Sequence, residues 1–208
     1  LIKRANNNQM VRKIALNSAY GALANQYFAF FSIDLAEAIT TSGQLIIQWS
    51  ERTINDFMNK TLGTEDEDFV IAMDTDSAYI TMDKLVQKVL PEETDKDKII
   101  DFLNKSEGMF EKVLADGFDD LAEYTNAFQN KMEMGREVIA DRGIWTAKKR
   151  YILNVHDNEG VRLAQPKLKM MGIETAKSST PQWVRTKLTD AFKVVMGGTE
   201  EDLWEFVE

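Results

Sequence analysis

Two short apolar runs enclose the tetrapeptide Asp74-Thr75-Asp76-Ser77, and no other feature constrains this chain as much. Phe69-Val70-Ile71-Ala72-Met73 leads in and Ala78-Tyr79-Ile80-Thr81-Met82 leads out. Both runs contain β-branched or aromatic residues and read as strands. The spacing predicts a β-hairpin with two carboxylates at its tip. Residues i and i+2 of an extended chain point to the same side, so Asp74 and Asp76 are expected to aim at one point. A pair of hard oxygens in that arrangement suits Mg²⁺. An ordinary turn is the other reading, since Asp and Ser are common turn residues.

Size and composition narrow the classes. The chain has 208 residues with 44% hydrophobic content, enough to bury a core in one large domain. It has no Cys, which removes a disulfide framework and Cys-based zinc sites and favours a reducing compartment. No apolar run approaches the roughly 18 residues of a membrane span, and no signal peptide is visible. Both ends, at Leu1 and at Leu203-Trp204-Glu205-Phe206-Val207-Glu208, read as if cut from something longer. The net charge of −9 is unevenly spread. Residues 1–33 carry +4, from Lys3, Arg4, Arg12 and Lys13 with no acid. Residues 136–187 carry eleven basic and five acidic side chains, or +6, which leaves −19 on the remainder. A polyanion responds to the local field rather than the total charge. Solvated basic faces are the alternative.

The coarse order of elements is mixed. Residues 5–25 read as a helix. Asp34 with Glu37 resembles a capping box that opens a long amphipathic helix, ended by Gly63. After the acidic loop Glu65 to Asp68 and the hairpin, residues 84–90 read as a short helix. A helical pattern then runs from about Lys98 to Met134, with Gly117 expected to divide it. Arg136 to Ala140 and Trp145 to Val155 read as strands, and Asp157-Asn158-Glu159-Gly160 as the turn into Val161 to Ala164. Lys167 to Thr175 reads as extended. Pro181 starts a helix that Gly197-Gly198 interrupts, with another beginning near Thr199.

Three further constellations carry chemistry. Lys13, Asn17, Tyr20 and Gly21 are spaced i, i+4, i+7, i+8 and share one helix face. A cation and an amide one turn apart suit a phosphate-bearing ligand, and Tyr followed by Gly suits a flat ring close to the backbone. A solvated polar face with a packing glycine is the alternative. Lys148-Lys149-Arg150-Tyr151 falls in an expected strand, with Lys148 and Arg150 on one side and Lys149 and Tyr151 on the other. Consecutive cations clamp phosphates, or protect a sheet edge. Glu137 begins the neighbouring strand, from which a side chain can reach the carboxylate cluster; an unpaired surface Glu is the other reading. Lys177 and Ser178 precede a helix start, where free N–H groups bind phosphate or are simply capped. His156 is the only His, beside an expected turn, and takes no catalytic role; most Ser/His and His-zinc mechanisms are thereby excluded.

In chain order, Lys13-Ile14-Ala15-Leu16-Asn17-Ser18-Ala19-Tyr20-Gly21 resembles motif B of family B DNA polymerases, Asp74-Thr75-Asp76-Ser77 resembles motif C, and Lys148-Lys149-Arg150-Tyr151 is similar to the basic motif that tracks the primer–template. The wider text is similar to the tailed-bacteriophage branch, notably at Asp66-Glu67-Asp68-Phe69, at Arg136-Glu137 and from Met171-Gly172-Ile173-Glu174-Thr175 to Pro181. The resemblance implies an α+β fold in three parts: a finger helix over 1–31, a palm over 32–170 and the start of a thumb over 171–208. It implies a DNA-directed DNA polymerase using two Mg²⁺ ions. Asp76 is then the principal metal ligand and Asp74 a second or looser one, with Glu137 supporting the site. Lys13, Asn17, Tyr20 and Gly21 meet the incoming dNTP. Lys148, Lys149, Arg150 and Tyr151 hold primer–template DNA, with Lys177 and Ser178 further along it. The expected partners are DNA, dNTP, an N-terminal polymerase part carrying motif A and the exonuclease, and a sliding clamp. The expected location is the cytoplasm of a phage-infected host. The chain on its own is expected to extend no primer, because motif A lies outside it. A non-catalytic DNA-binding module with a polymerase-like palm is the competing function.

Overall fold

Helix α2, Ile33–Leu62, organises the molecule. The computed structural model describes residues 2–207, and α2 is its longest element. Its N-cap is Ser32, whose hydroxyl accepts from the Leu35 N–H, rather than the expected Asp34–Glu37 box. Asp34 instead lies in the first turn, where a carboxylate favours the helix dipole. Gly63 ends the helix in the left-handed region at φ +74°, as its position predicted. Ala36, Ser50, Ile54 and Met58 are buried along one face.

That face meets α4, Lys96–Tyr124. The expected break at Gly117 does not occur, and α4 runs straight through it. A Cβ on Gly117 would stand 2.8 Å from the Thr53 hydroxyl of α2, so the glycine serves close approach of two helices. The helix ends ten residues before Met134: Thr125 caps it by donating to the Leu121 carbonyl at 2.8 Å, and Asn126 turns left-handed at φ +52°. Phe128, inside the span expected to be helical, lies beyond the helix and is fully exposed. Ile54, Met58, Phe69, Val70, Leu85, Leu114 and Phe118 form the main core, which joins α2 and α4 to the hairpin β1 (Val70–Asp74) and β2 (Ser77–Ile80) and to the short helix α3 (Asp83–Val89).

The second half is a three-stranded antiparallel meander: β3 (Val138–Ala147), β4 (Arg150–Asn158) and β5 (Val161–Met171). The β4–β5 turn at Glu159-Gly160 falls where the sequence placed it. The two expected strands before it are a single hairpin, and Lys148-Lys149 is its turn. Central β4 is buried on both faces. Tyr151, Leu153 and Val155 pack toward Tyr79 of β2, while Ile152 packs with Ile173 and Met196. Met196 belongs to α5, Gln182–Gly197, whose N-cap is Pro181, so the helix starts one residue later than expected. Thr199 and Asp202 exchange backbone-to-side-chain hydrogen bonds and start α6, Glu200–Val207. The described residues form an α+β fold, with two small antiparallel sheets packed by long helices.

Helix α1, Ile2–Leu23, lies largely outside these cores: every residue from Lys3 to Gly21 is exposed. No helix among the described residues is long and apolar enough to cross a membrane.

Candidate active site

The two hairpin tips meet. Lys149 at the β3–β4 turn places its ammonium 3.0 Å from a carboxylate oxygen of Asp74 at the end of β1. Three aromatic rings hold the hairpins together behind this pair. Tyr79 of β2 makes edge contacts with Trp145 and with Tyr151, each at 5.4 Å between ring centroids. Gly143 makes room for that cluster, because a Cβ there would lie 2.6 Å from the Trp145 ring. Burial, and next a hydrogen bond with Tyr151, push the Tyr79 phenol above its ordinary range, so it stays a protonated, packed side chain.

Asp74 is partly shielded and its carboxyl is held below the usual range, chiefly by the Lys149 hydrogen bond, against the opposing effect of burial. The Thr75 hydroxyl also donates to it at 3.0 Å. The strand-alternation argument does not carry from Asp74 to Asp76. Asp74 ends β1 opposite Ser77, and the turn between them is Thr75-Asp76. Thr75 has φ +59°, and the Asp76 N–H donates to the Asp74 carbonyl at 2.7 Å across it. This is a γ-turn with a β-branched residue in the left-handed region, a strained conformation that the flanking ladder sustains. The Asp76 carboxylate is exposed at the tip, and no side-chain hydrogen bond or ion pair engages it among the described residues.

Glu137 immediately precedes β3 rather than opening it. Its carboxylate pairs with the Lys169 ammonium of β5 at 2.6 Å. No group of three or more carboxylate, His or Cys side chains that could hold a metal occurs among the described residues. The donor chemistry at the tip fits a hard cation in part. Mg²⁺ commonly takes one or two carboxylates and fills its other positions with water and substrate phosphate. Asp74 and Asp76 are the two carboxylates at this tip, and the Lys149 ammonium already pairs with one of them.

The basic segment departs from strand alternation. Lys148 and Lys149 form the turn, with Lys149 at φ +62°, and only Arg150 and Tyr151 lie in β4. The reason is tertiary: Gly172, itself at φ +62°, presses its backbone against the Lys149 carbonyl so closely that no Cβ would fit. Arg150 donates to the Gly172 carbonyl at 3.1 Å and pairs with Glu174, which also receives the Lys177 ammonium at 3.1 Å. Ser178 is exposed, and Pro181 caps α5 without a side-chain hydrogen bond, so the first-turn N–H groups stay open. Tyr151 is buried in the aromatic cluster. Lys13, Asn17, Tyr20 and Gly21 share one exposed face of the unbroken α1. Tyr79, Trp145, Gly143 and Glu174 were not singled out from the sequence. Their roles depend on partners far along the chain, and the local signal was an aromatic residue near each motif, Tyr79 two positions after Ser77 and Trp145 three before Lys148.

The family model described as DNA polymerase family B matches residues 2–206. The chain is 41% identical over 212 aligned residues to a protein of Enterobacteria phage T4 named DNA-directed DNA polymerase, covering 97% of this chain and 24% of that protein. It is 45% identical over 195 residues to the DNA-directed DNA polymerase of Escherichia phage RB69, covering 89% of this chain and 22% of that protein. The chain thus spans about a quarter of the length of the curated relatives it matches.

Proposed function

The chain belongs to DNA polymerase family B, and from that premise we propose that it serves template-directed nucleotidyl transfer. In that reaction the primer 3′-oxygen bonds to the α-phosphorus of a dNTP. The bond from that phosphorus to the bridging oxygen breaks, pyrophosphate leaves, and the 3′-OH gives up its proton. The observation that carries the reading is the meeting of two hairpin tips, one bearing Asp74 and Asp76 and the other Lys148 and Lys149. Carboxylates for a metal and cations for a phosphate backbone are what such a reaction centre requires side by side.

Within this reading Asp76 and Asp74 hold Mg²⁺, which when bound stabilises charge on the attacking and leaving oxygens. Lys148 and Lys149 bind the primer–template near the reacting end, Tyr151 backs them, and Arg150, Lys177 and Ser178 line the path beyond. Lys13 and Asn17 hold the triphosphate, with Tyr20 and Gly21 beside the new base pair. Glu137 supports the site from the start of β3. A further carboxylate must come from polypeptide other than the described residues, since none of these joins Asp74 and Asp76.

The test mixes the chain with a family B polymerase polypeptide that carries the further carboxylate but lacks a counterpart of residues 2–207. Primer extension is expected from the mixture, from neither part alone, and not with Asp76→Ala. Salt-sensitive DNA binding without extension in any pairing would instead support a non-catalytic DNA-binding module.

A further inference from the structure

Resting on that reading of the hairpin tips, we infer that Lys149 couples the metal site to the DNA site by occupying Asp74 until either ligand arrives. The pair joins residues of two separate sheets, and three features make it a built contact. Tyr79, Trp145 and Tyr151 fix one hairpin against the other directly behind it. Gly172 sets the position of the Lys149 backbone from a third segment. Lys149 itself sits at φ +62°, the left-handed conformation that tight hairpin turns use, which fixes the direction in which its side chain leaves the β3–β4 tip. The ammonium at 3.0 Å from Asp74 takes one of the two carboxylates a divalent cation would use.

Two consequences follow from charge alone. A divalent cation at Asp74 must displace the ammonium or bear its repulsion, so metal affinity is lowered while Lys149 is in place. A DNA phosphate that draws Lys149 away releases Asp74, so DNA raises metal affinity. By linkage, metal raises DNA affinity by the same factor. The pair is solvent-accessible, so the effect is modest, roughly two- to fivefold in either affinity. Asp76 has no such internal competitor among the described residues, which gives the two carboxylates different duties: Asp76 as the standing ligand and Asp74 as the conditional one.

The test measures Mn²⁺ binding to the full chain by electron paramagnetic resonance, with and without a primer–template duplex. Lys149→Met is expected to tighten Mn²⁺ binding roughly two- to fivefold without DNA and to shrink the gain that DNA brings. Lys149→Arg keeps the charge and should behave as the parent. Equal affinity in the parent and Lys149→Met, with Asp76→Ala still weakening binding, would overturn the coupling and leave the site standing. Mn²⁺ binding unaffected by Asp76→Ala would overturn the reading of the site itself, and the coupling with it.

Discussion

Gly172 backs directly onto the carbonyl of Lys149, with its own φ at +62°. An alanine there would meet two penalties at once, a left-handed backbone that disfavours a Cβ and a collision with a carbonyl that cannot move alone. Gly172→Ala should destabilise the fold by roughly 2–3 kcal/mol, read by urea denaturation. Because the collision falls on the β3–β4 tip, the variant should also bind duplex DNA more weakly than its stability loss alone predicts.

Gly117 and Thr53 present a different balance. Replacing Gly117 with Ala gains about 1 kcal/mol of helix propensity within α4 but forces the Cβ against the Thr53 side chain 2.8 Å away. Overpacking of that kind costs about 1–3 kcal/mol, so a net loss near 1 kcal/mol is expected. Removing the obstacle with Thr53→Ala in the same chain should recover it. A double-mutant cycle by urea unfolding measures the coupling, and additive effects would contradict the close approach.

Arg136 and Asp157 tie α4 to the meander. Asp157 is fully buried and pairs with the Arg136 guanidinium at 2.7 Å, while Arg136 also reaches Glu107 and Asn104. Burial opposes ionisation of Asp157, but the hydrogen bond and charge of Arg136 outweigh it and hold the carboxyl below its ordinary value. A lowered folded pKa means that the unfolded chain binds the proton more readily. The stability from this pair is therefore complete above about pH 4 and is lost as pH falls through the lower folded value. Asp157→Asn should cost about 3 kcal/mol at neutral pH and flatten the stability profile below about pH 4. A parallel acid profile in parent and variant would refute the assignment.

Asn59 sets where β1 begins. Its carboxamide oxygen accepts from Thr64 and from the Glu67 N–H, and its amide donates to the Glu67 carbonyl at 2.8 Å. Asn55, one turn earlier on α2, receives the Phe69 N–H at 2.9 Å. Asn59→Ala should cost about 2 kcal/mol, since several polar groups lose a partner at a site water reaches only in part. Hydrogen exchange should then accelerate in the loop and in β1. Exchange raised only at the loop would mean that β1 is fixed by the core alone.

Much of this architecture is legible locally. The hairpin around Asp74 and Asp76, the long helix ended by Gly63 and the Glu159-Gly160 turn all follow from patterns within a few residues. Two of the misreadings share a tertiary cause. Gly117 looks like a breaker until Thr53 is opposite it, and Lys148-Lys149 looks like strand until Gly172 is behind it. The capping oxygen came from Ser32 rather than Asp34 because the helix starts two residues earlier than the acidic signal suggests.

The sequence by itself determined the chemistry: carboxylates at one turn, cations near another, and a helix face of Lys13, Asn17, Tyr20 and Gly21. Residue type and short-range spacing suffice for that. Only the tertiary structure decided that the Asp74 and Lys149 turns touch. That contact depends on Tyr79, Trp145 and Tyr151 packing between two sheets, and on a glycine far along the chain. Such long-range packing leaves almost no periodic trace in the segments it joins.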